Sequence, residues 1–139
     1  MSIGVQVTFD ASDPAAQARF WATALDYVLQ PPPPGWTSWE AWAESMGIPE
    51  ERWNDMAAVV DPEGYRPRLL FQKVPEGKTA KNRVHLDINV GAPDHDRARV
   101  DAHVRLLVEA GGTVVAAREQ RNERWVVLQD PEGNEFCVQ

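Results

Sequence analysis

Asp130-Pro131-Glu132-Gly133 repeats Asp61-Pro62-Glu63-Gly64 residue for residue, and this echo decides how the rest of the chain is divided. Upstream of each copy, Val84-His85-Leu86-Asp87-Ile88-Asn89 answers to Val5-Gln6-Val7-Thr8-Phe9-Asp10, and Pro93 answers to Pro14 at the same offset. The two Asp-Pro-Glu-Gly turns lie about ten residues closer together than those pairs, so the first copy carries a loop insertion, a common elaboration of one repeat among several. A duplicated module creates a pseudo-twofold axis. Side chains from its equivalent strands are expected to converge on one shared cleft, and function is sought there.

Each copy reads as strand, helix and three further strands. Ile3 to Asp10 alternates apolar and polar residues, a half-buried strand with Gln6, Thr8 and Asp10 on one face. Asp13-Pro14 is the N-cap and first residue of a helix whose apolar stripe is Ala18, Trp21, Ala22 and Leu25. Tyr27 to Gln30 forms a short strand ended by Pro31 to Pro34, because each proline removes a ladder donor. Thr37 with Glu40 fits a capping box for an inserted helix carrying Trp39, Trp42 and Met46, which Gly47 and Pro49 stop. Met56 to Val60 and Arg68 to Val74 are strands around the first turn. In the second copy, Arg83 to Val90 is a strand, and Val100, Val104, Leu107 and Val108 mark a helix ended by Gly111-Gly112. Strands at Thr113 to Ala117, Trp125 to Leu128 and Asn134 to Val138 follow. The expected organisation is one domain, 1–139, with module 1 at about 1–75, an aromatic insertion at 31–54 and module 2 at about 82–139.

Composition limits what the cleft can take. With 43% hydrophobic and 25% charged residues the chain is globular rather than disordered. Fourteen lysines and arginines against 21 aspartates and glutamates leave a formal charge of -7, which repels nucleic-acid backbones and anionic lipid surfaces. Neither a membrane-length apolar run nor a leader-like amino terminus is present, so a cytoplasmic protein is expected. The single cysteine, Cys137, excludes an internal disulfide and any CxxC motif.

Paired βαβββ units, Phe20-Trp21 in the first helix, the Asn82-Arg83-Val84-His85-Leu86-Asp87 strand and the closing Asp130-Pro131-Glu132-Gly133-Asn134-Glu135-Phe136-Cys137 together resemble the vicinal oxygen chelate superfamily. Within it the chain is most similar to glyoxalase-like domain proteins grouped with bleomycin-resistance proteins and dioxygenases. The resemblance covers the whole chain. It implies an α+β fold of two tandem βαβββ modules whose curved mixed sheet surrounds a cleft. It also implies metal positions on the first and last strands of each module. Gln6 and His85 hold the first-strand positions, Cys137 stands where metal-dependent relatives carry glutamate, and Leu70 fills the remaining place. The implied metal set is therefore Gln6, His85 and Cys137, and it departs from the family pattern. No resident cofactor is the first expectation, with divalent zinc, nickel, manganese or iron as the alternative.

Strand parity places Gln6, Thr8, His85 and Asp87 on corresponding faces, so His85 with Asp87 or Glu135 is the candidate acid-base pair. A histidine that merely bonds its neighbours is the competing reading. His95 and His103 are assigned to the solvated side of the second helix, and Trp21 and Trp125 to the core. Trp36, Trp39, Trp42 and Trp53 gather in the insertion, which suits a planar or apolar ligand, although Trp39 and Trp42 also suit simple packing. Arg68 is a candidate contact for an anionic group. Three readings follow. The leading one is a small-molecule-binding protein with an incomplete metal set. The others are a metal-dependent lyase, isomerase or dioxygenase, and a non-catalytic dimerisation module. Related proteins pair two chains, so a homodimer is expected.

Overall fold

In the computed structural model, which describes residues 1–139, the alternation at the start of the chain becomes strand β1 (Val7–Ala11). Val7, Phe9 and Ala11 turn inward while Gln6, Thr8 and Asp10 stay exposed. Helix α1 (Pro14–Leu25) begins where Asp13 Oδ1 accepts the Ala16 N–H, with proline at the first position, where a missing N–H costs nothing. The Asn54 amide reinforces this start, donating to Asp13 Oδ1 and accepting the Ala15 N–H, both at 2.9 Å. The buried face of α1 is wider than the expected stripe, taking in Pro14, Gln17, Ala18, Phe20, Trp21 and Ala24.

Strands β2 (Val28–Leu29), β3 (Met56–Val60) and β4 (Leu69–Lys73) complete a mixed sheet in the order β1-β4-β3-β2, with β1 parallel to β4 and the other pairs antiparallel. Its core clusters around Trp21 and Phe71, with the Phe9 ring 5.1 Å from Trp21 and 5.2 Å from Phe71. The second sheet follows the same plan. Strands β5 (Asp87–Ile88), β6 (Thr113–Gln120), β7 (Glu123–Gln129) and β8 (Glu135–Val138), with helix α3 (Arg97–Glu109), give the order β5-β8-β7-β6. Here β5 and β8 are parallel. Leu107, Leu128, Phe136 and Val138 form this core. The result is the α+β fold of paired βαβββ modules, with two four-stranded mixed sheets. By contacts the chain divides into two units, Met1–Ala22 with Asp26–Gly77, and Thr23–Leu25 with Lys78–Gln139.

The Asp-Pro-Glu-Gly turns are built alike. Asp61 accepts the amides of Glu63, Tyr65 and Arg66, and buried Asp130 accepts those of Glu132 and Asn134. A second repeated detail ties the parallel strands together. Gln72 Nε2 donates to Asp10 Oδ1 and Gln139 Nε2 donates to Asn89 Oδ1, each at 2.9 Å.

Several local expectations are corrected. The first strand does not begin at Ile3, because its parallel partner runs out upstream: Pro67 has no N–H, and the Arg66 and Tyr65 amides are committed to Asp61. The strand expected over Arg83 to Val90 shrinks to Asp87–Ile88 for the matching reason, since the Asn134 amide belongs to the Asp130 turn. Pro93 does not start α3; Asp96 caps it, accepting the Arg99 N–H. Helix α2 (Trp39–Ser45) is capped by Ser38 rather than Thr37. The extended Ser38 backbone lets its hydroxyl accept the Ala41 N–H, leaving Glu40 too close to the cap to reach back. That helix ends within two turns, so Met46 is exposed instead of continuing the stripe.

Candidate functional site

The two sheets each keep one face that pairs apolar and polar side chains, opposite the face that forms the core. In the first unit the register Thr8↔Leu70 and Ala58↔Leu70 sets out this face across the strands. Thr8, Leu70, Ala58 and Gln30 form one row, since the Gln30 amide donates to the Ala58 carbonyl. One step along the strands, Arg68 stands beside Gln6. Its guanidinium donates from Nε to Gln30 Oε1 at 2.7 Å and from Nη1 to Gln6 Oε1 at 2.8 Å. Gln6 in turn donates to the Thr8 hydroxyl at 3.3 Å. The Gln30 carbonyl receives the Trp39 indole N–H at 2.7 Å, so one residue connects the guanidinium to the inserted helix. Trp42 packs edge-on against Trp39 with ring centres 5.5 Å apart, and Trp36 remains exposed. Trp53 is partly buried and donates its indole N–H to the Ile48 carbonyl. The first unit therefore brings Gln6, Thr8, Arg68 and Trp39 into one connected group, with Trp42 behind it. Trp53 is tied to the end of the insertion.

In the second unit the parallel register Asp87↔Cys137 places the corresponding group. His85 and Asp87, two residues apart on one strand face, meet with Nδ1 and Oδ1 3.0 Å apart. The donor atoms of His85, Asp87 and Cys137 all lie within 4.8 Å of one another. Burial pushes the Cys137 thiol above its ordinary range, and the neighbouring Asp87 charge and hydrogen bond push the same way. The thiol is thus a protonated, weakly nucleophilic group at neutral pH. With Nδ1 engaged by the Asp87 carboxylate, Nε2 is the ring nitrogen of His85 left for a ligand.

Glu135 is held by other partners. It receives the Asn82 N–H at 2.9 Å and the Lys78 ammonium at 3.1 Å. The Asn82 bond first, and Lys78 after it, outweigh desolvation and hold its carboxyl at about 2. Such a carboxylate is a poor proton acceptor at neutral pH, and it pins the linker to β8. Of the two partners read for His85, Asp87 is the one in contact.

Two features went unread in the sequence. Trp125 was assigned to the core, yet it is partly exposed and shares parity with Val127, which pairs with Cys137; it lies on the His85 and Cys137 face while Val126 and Leu128 are buried. The unbroken apolar run Trp125-Val126-Val127-Leu128 hides which residues face which way, and only the alternating burial along β7 separates them. His103 was read as solvated, but it is partly buried and its Nε2 lies 2.9 Å from the Ala24 carbonyl. His95 is exposed.

A family profile described as glyoxalase-like domain matches residues 6–139. The chain belongs to the glyoxalase-like domain family. Solved structures share its fold at low identity. A glyoxalase/bleomycin resistance protein/dioxygenase family enzyme from Burkholderia phytofirmans is 19% identical, with TM-score 0.64 over 96% of this chain and 94% of that one. Fosfomycin resistance protein FosX from Mesorhizobium loti is 12% identical, with TM-score 0.65 over 100% of this chain and 92% of that one. A variant of FosX from Listeria monocytogenes, complexed with Mn(II) and a dihydroxypropylphosphonic acid, is 10% identical, with TM-score 0.66 over 100% and 90% of the two chains. No curated protein matches the sequence.

The glyoxalase-like fold raises the question of a metal, and the donors answer differently in the two modules. In the first, Gln6 is bonded to a guanidinium and Leu70 offers no donor atom, a poor setting for a cation. In the second, an imidazole, a carboxylate and a thiol are close enough to share an ion after modest adjustment, once the thiol is deprotonated.

Proposed function

We propose that this glyoxalase-like protein binds a small apolar or aromatic molecule over the open face of its first sheet, without a complete metal set. The observation that carries this reading is the Gln6–Arg68–Gln30–Trp39 chain: a fixed cation and a tryptophan occupy the module whose equivalents in metal-dependent relatives supply metal ligands. Leu70 and Ala58 give the same face an apolar floor. Trp39 makes binding visible, because a ligand that covers it alters its emission. Titration with planar apolar compounds is expected to shift tryptophan fluorescence saturably, and Trp39→Phe to remove most of the change. A flat response to every compound would overturn the reading.

One observation favours a second reading, a metal-dependent lyase, isomerase or dioxygenase: the His85, Asp87 and Cys137 cluster. These three residues would hold a divalent ion, which would polarise a substrate oxygen. Elemental analysis of protein purified without chelator separates the two readings. Stoichiometric zinc, nickel, manganese or iron that is lost in His85→Ala favours the enzyme; metal-free protein that still binds ligand favours the first proposal. We also propose that the protein is cytoplasmic and that its partner is a small molecule rather than nucleic acid or membrane; no helix is long and apolar enough to cross a membrane.

A further inference from the structure

Among the arginines, only Arg68 and Arg124 are partly buried, and the largely covered Lys78 side chain is paired with Glu135. Arg124 has an acidic partner, Asp101, at 2.9 Å. Arg68 has none: its side-chain contacts are the amide oxygens of Gln30 and Gln6, at 2.7 and 2.8 Å. Two neutral acceptors, Gln6 just before β1 and Gln30 just after β2, hold the guanidinium in place without cancelling its charge, in a chain whose formal charge is -7. A guanidinium carries five N–H donors and these bonds use two, so a fork of donors remains for a planar anion. An arginine meant only to stabilise the start of β4 gains most from a carboxylate, and an acidic chain has many to offer. Half-buried Leu70 and Val60 lie on the same sheet face with buried Ala58 between them, and exposed Val28 lies opposite Val60. The face thus offers an apolar surface with a charged anchor at one end.

We infer that Arg68 is the anion anchor of the binding face and that the ligand class is an aromatic or apolar carboxylate. This rests on the proposed metal-independent binding reading and sharpens it. The carboxylate takes the free N–H fork of Arg68, while the ring system lies over the Leu70 and Ala58 floor toward Trp39. Gln6 and Gln30 are positioning residues that fix the guanidinium plane.

The test uses naphthoate and naphthamide, which share a ring system and differ in the charge of the head group. Their affinities are measured by calorimetry and tryptophan fluorescence on the unmodified protein, on Arg68→Met and on Arg68→Lys. Naphthoate is expected to bind the unmodified protein at least about tenfold more tightly than naphthamide, with an advantage that shrinks as salt is raised. Arg68→Met is expected to remove that advantage, so that the two probes bind with equal affinity, and Arg68→Lys to retain only part of it, since an ammonium lacks the fork. Equal affinity for the two probes, or undiminished naphthoate preference in Arg68→Met, would overturn the anchor while leaving the broader binding reading intact. Failure of both probes to bind would remove both. The comparison on unmodified protein stands even if Arg68→Met folds poorly.

Discussion

Glu135 shows how a residue that looks catalytic can be structural. Its carboxylate caps the Asn82 amide and pairs with Lys78, and its carboxyl sits at about 2 instead of the ordinary 4.5. A carboxyl depressed by folding adds stability that is complete above the unfolded value and fades as pH falls through the folded one. Stability from Glu135 should therefore decline between about 4.5 and about 2, and Glu135→Gln should flatten that part of a denaturation-against-pH curve. At neutral pH, Glu135→Ala should cost about 1–3 kcal/mol in urea unfolding, because the Asn82 amide loses its partner. Cys137 gives a second expectation. Its raised thiol should react slowly with iodoacetamide at neutral pH, and Asp87→Asn should quicken the reaction by removing the charge that opposes the thiolate. An unchanged rate in that variant would show that burial alone controls the thiol. The His85 and Asp87 pairing was legible from a two-residue spacing on a strand, whereas the engagement of Glu135 was not, because its partners come from a linker with no periodic pattern.

Among the elements, strands were easy to read and their ends were not. Val7 and Phe9 against Gln6, Thr8 and Asp10 is a pattern that only a half-buried strand satisfies. Where β1 and β5 stop depends on amides in Asp61 and Asp130 turns far along the chain, which no local window reveals. The cap of α2 was misread by one residue because Thr37 and Ser38 are both good caps, and the choice falls to the one whose extended backbone presents its hydroxyl to Ala41. The difference is measurable. Ser38→Ala should destabilise the protein by about 1 kcal/mol, and Thr37→Ala should stay within about 0.5 kcal/mol of the parent. A larger loss in Thr37→Ala would restore the original capping box.

For the molecule as a whole, the duplicated Asp-Pro-Glu-Gly turn was the decisive clue, since it set the count of modules, and the two sheets indeed follow equivalent strand orders. The family followed from the paired βαβββ units, Phe20-Trp21, the Asn82 to Asp87 stretch and the closing motif, while the ligand did not, because the Arg68 contacts join residues from three separate strand regions. We propose a homodimer in solution; light scattering at micromolar concentration should then give twice the monomer mass of 15.6 kDa, and a clean monomer would refute it. The register also puts Arg68 and Glu135 at equivalent places, each two residues before the paired positions Leu70 and Cys137. Copying a gene segment yields halves that treat any visitor identically. Here divergence has put opposite charges at one repeated position: two neutral amides hold the Arg68 guanidinium, whereas Lys78 answers the Glu135 carboxylate, so two copies of one blueprint carry unlike electrostatics.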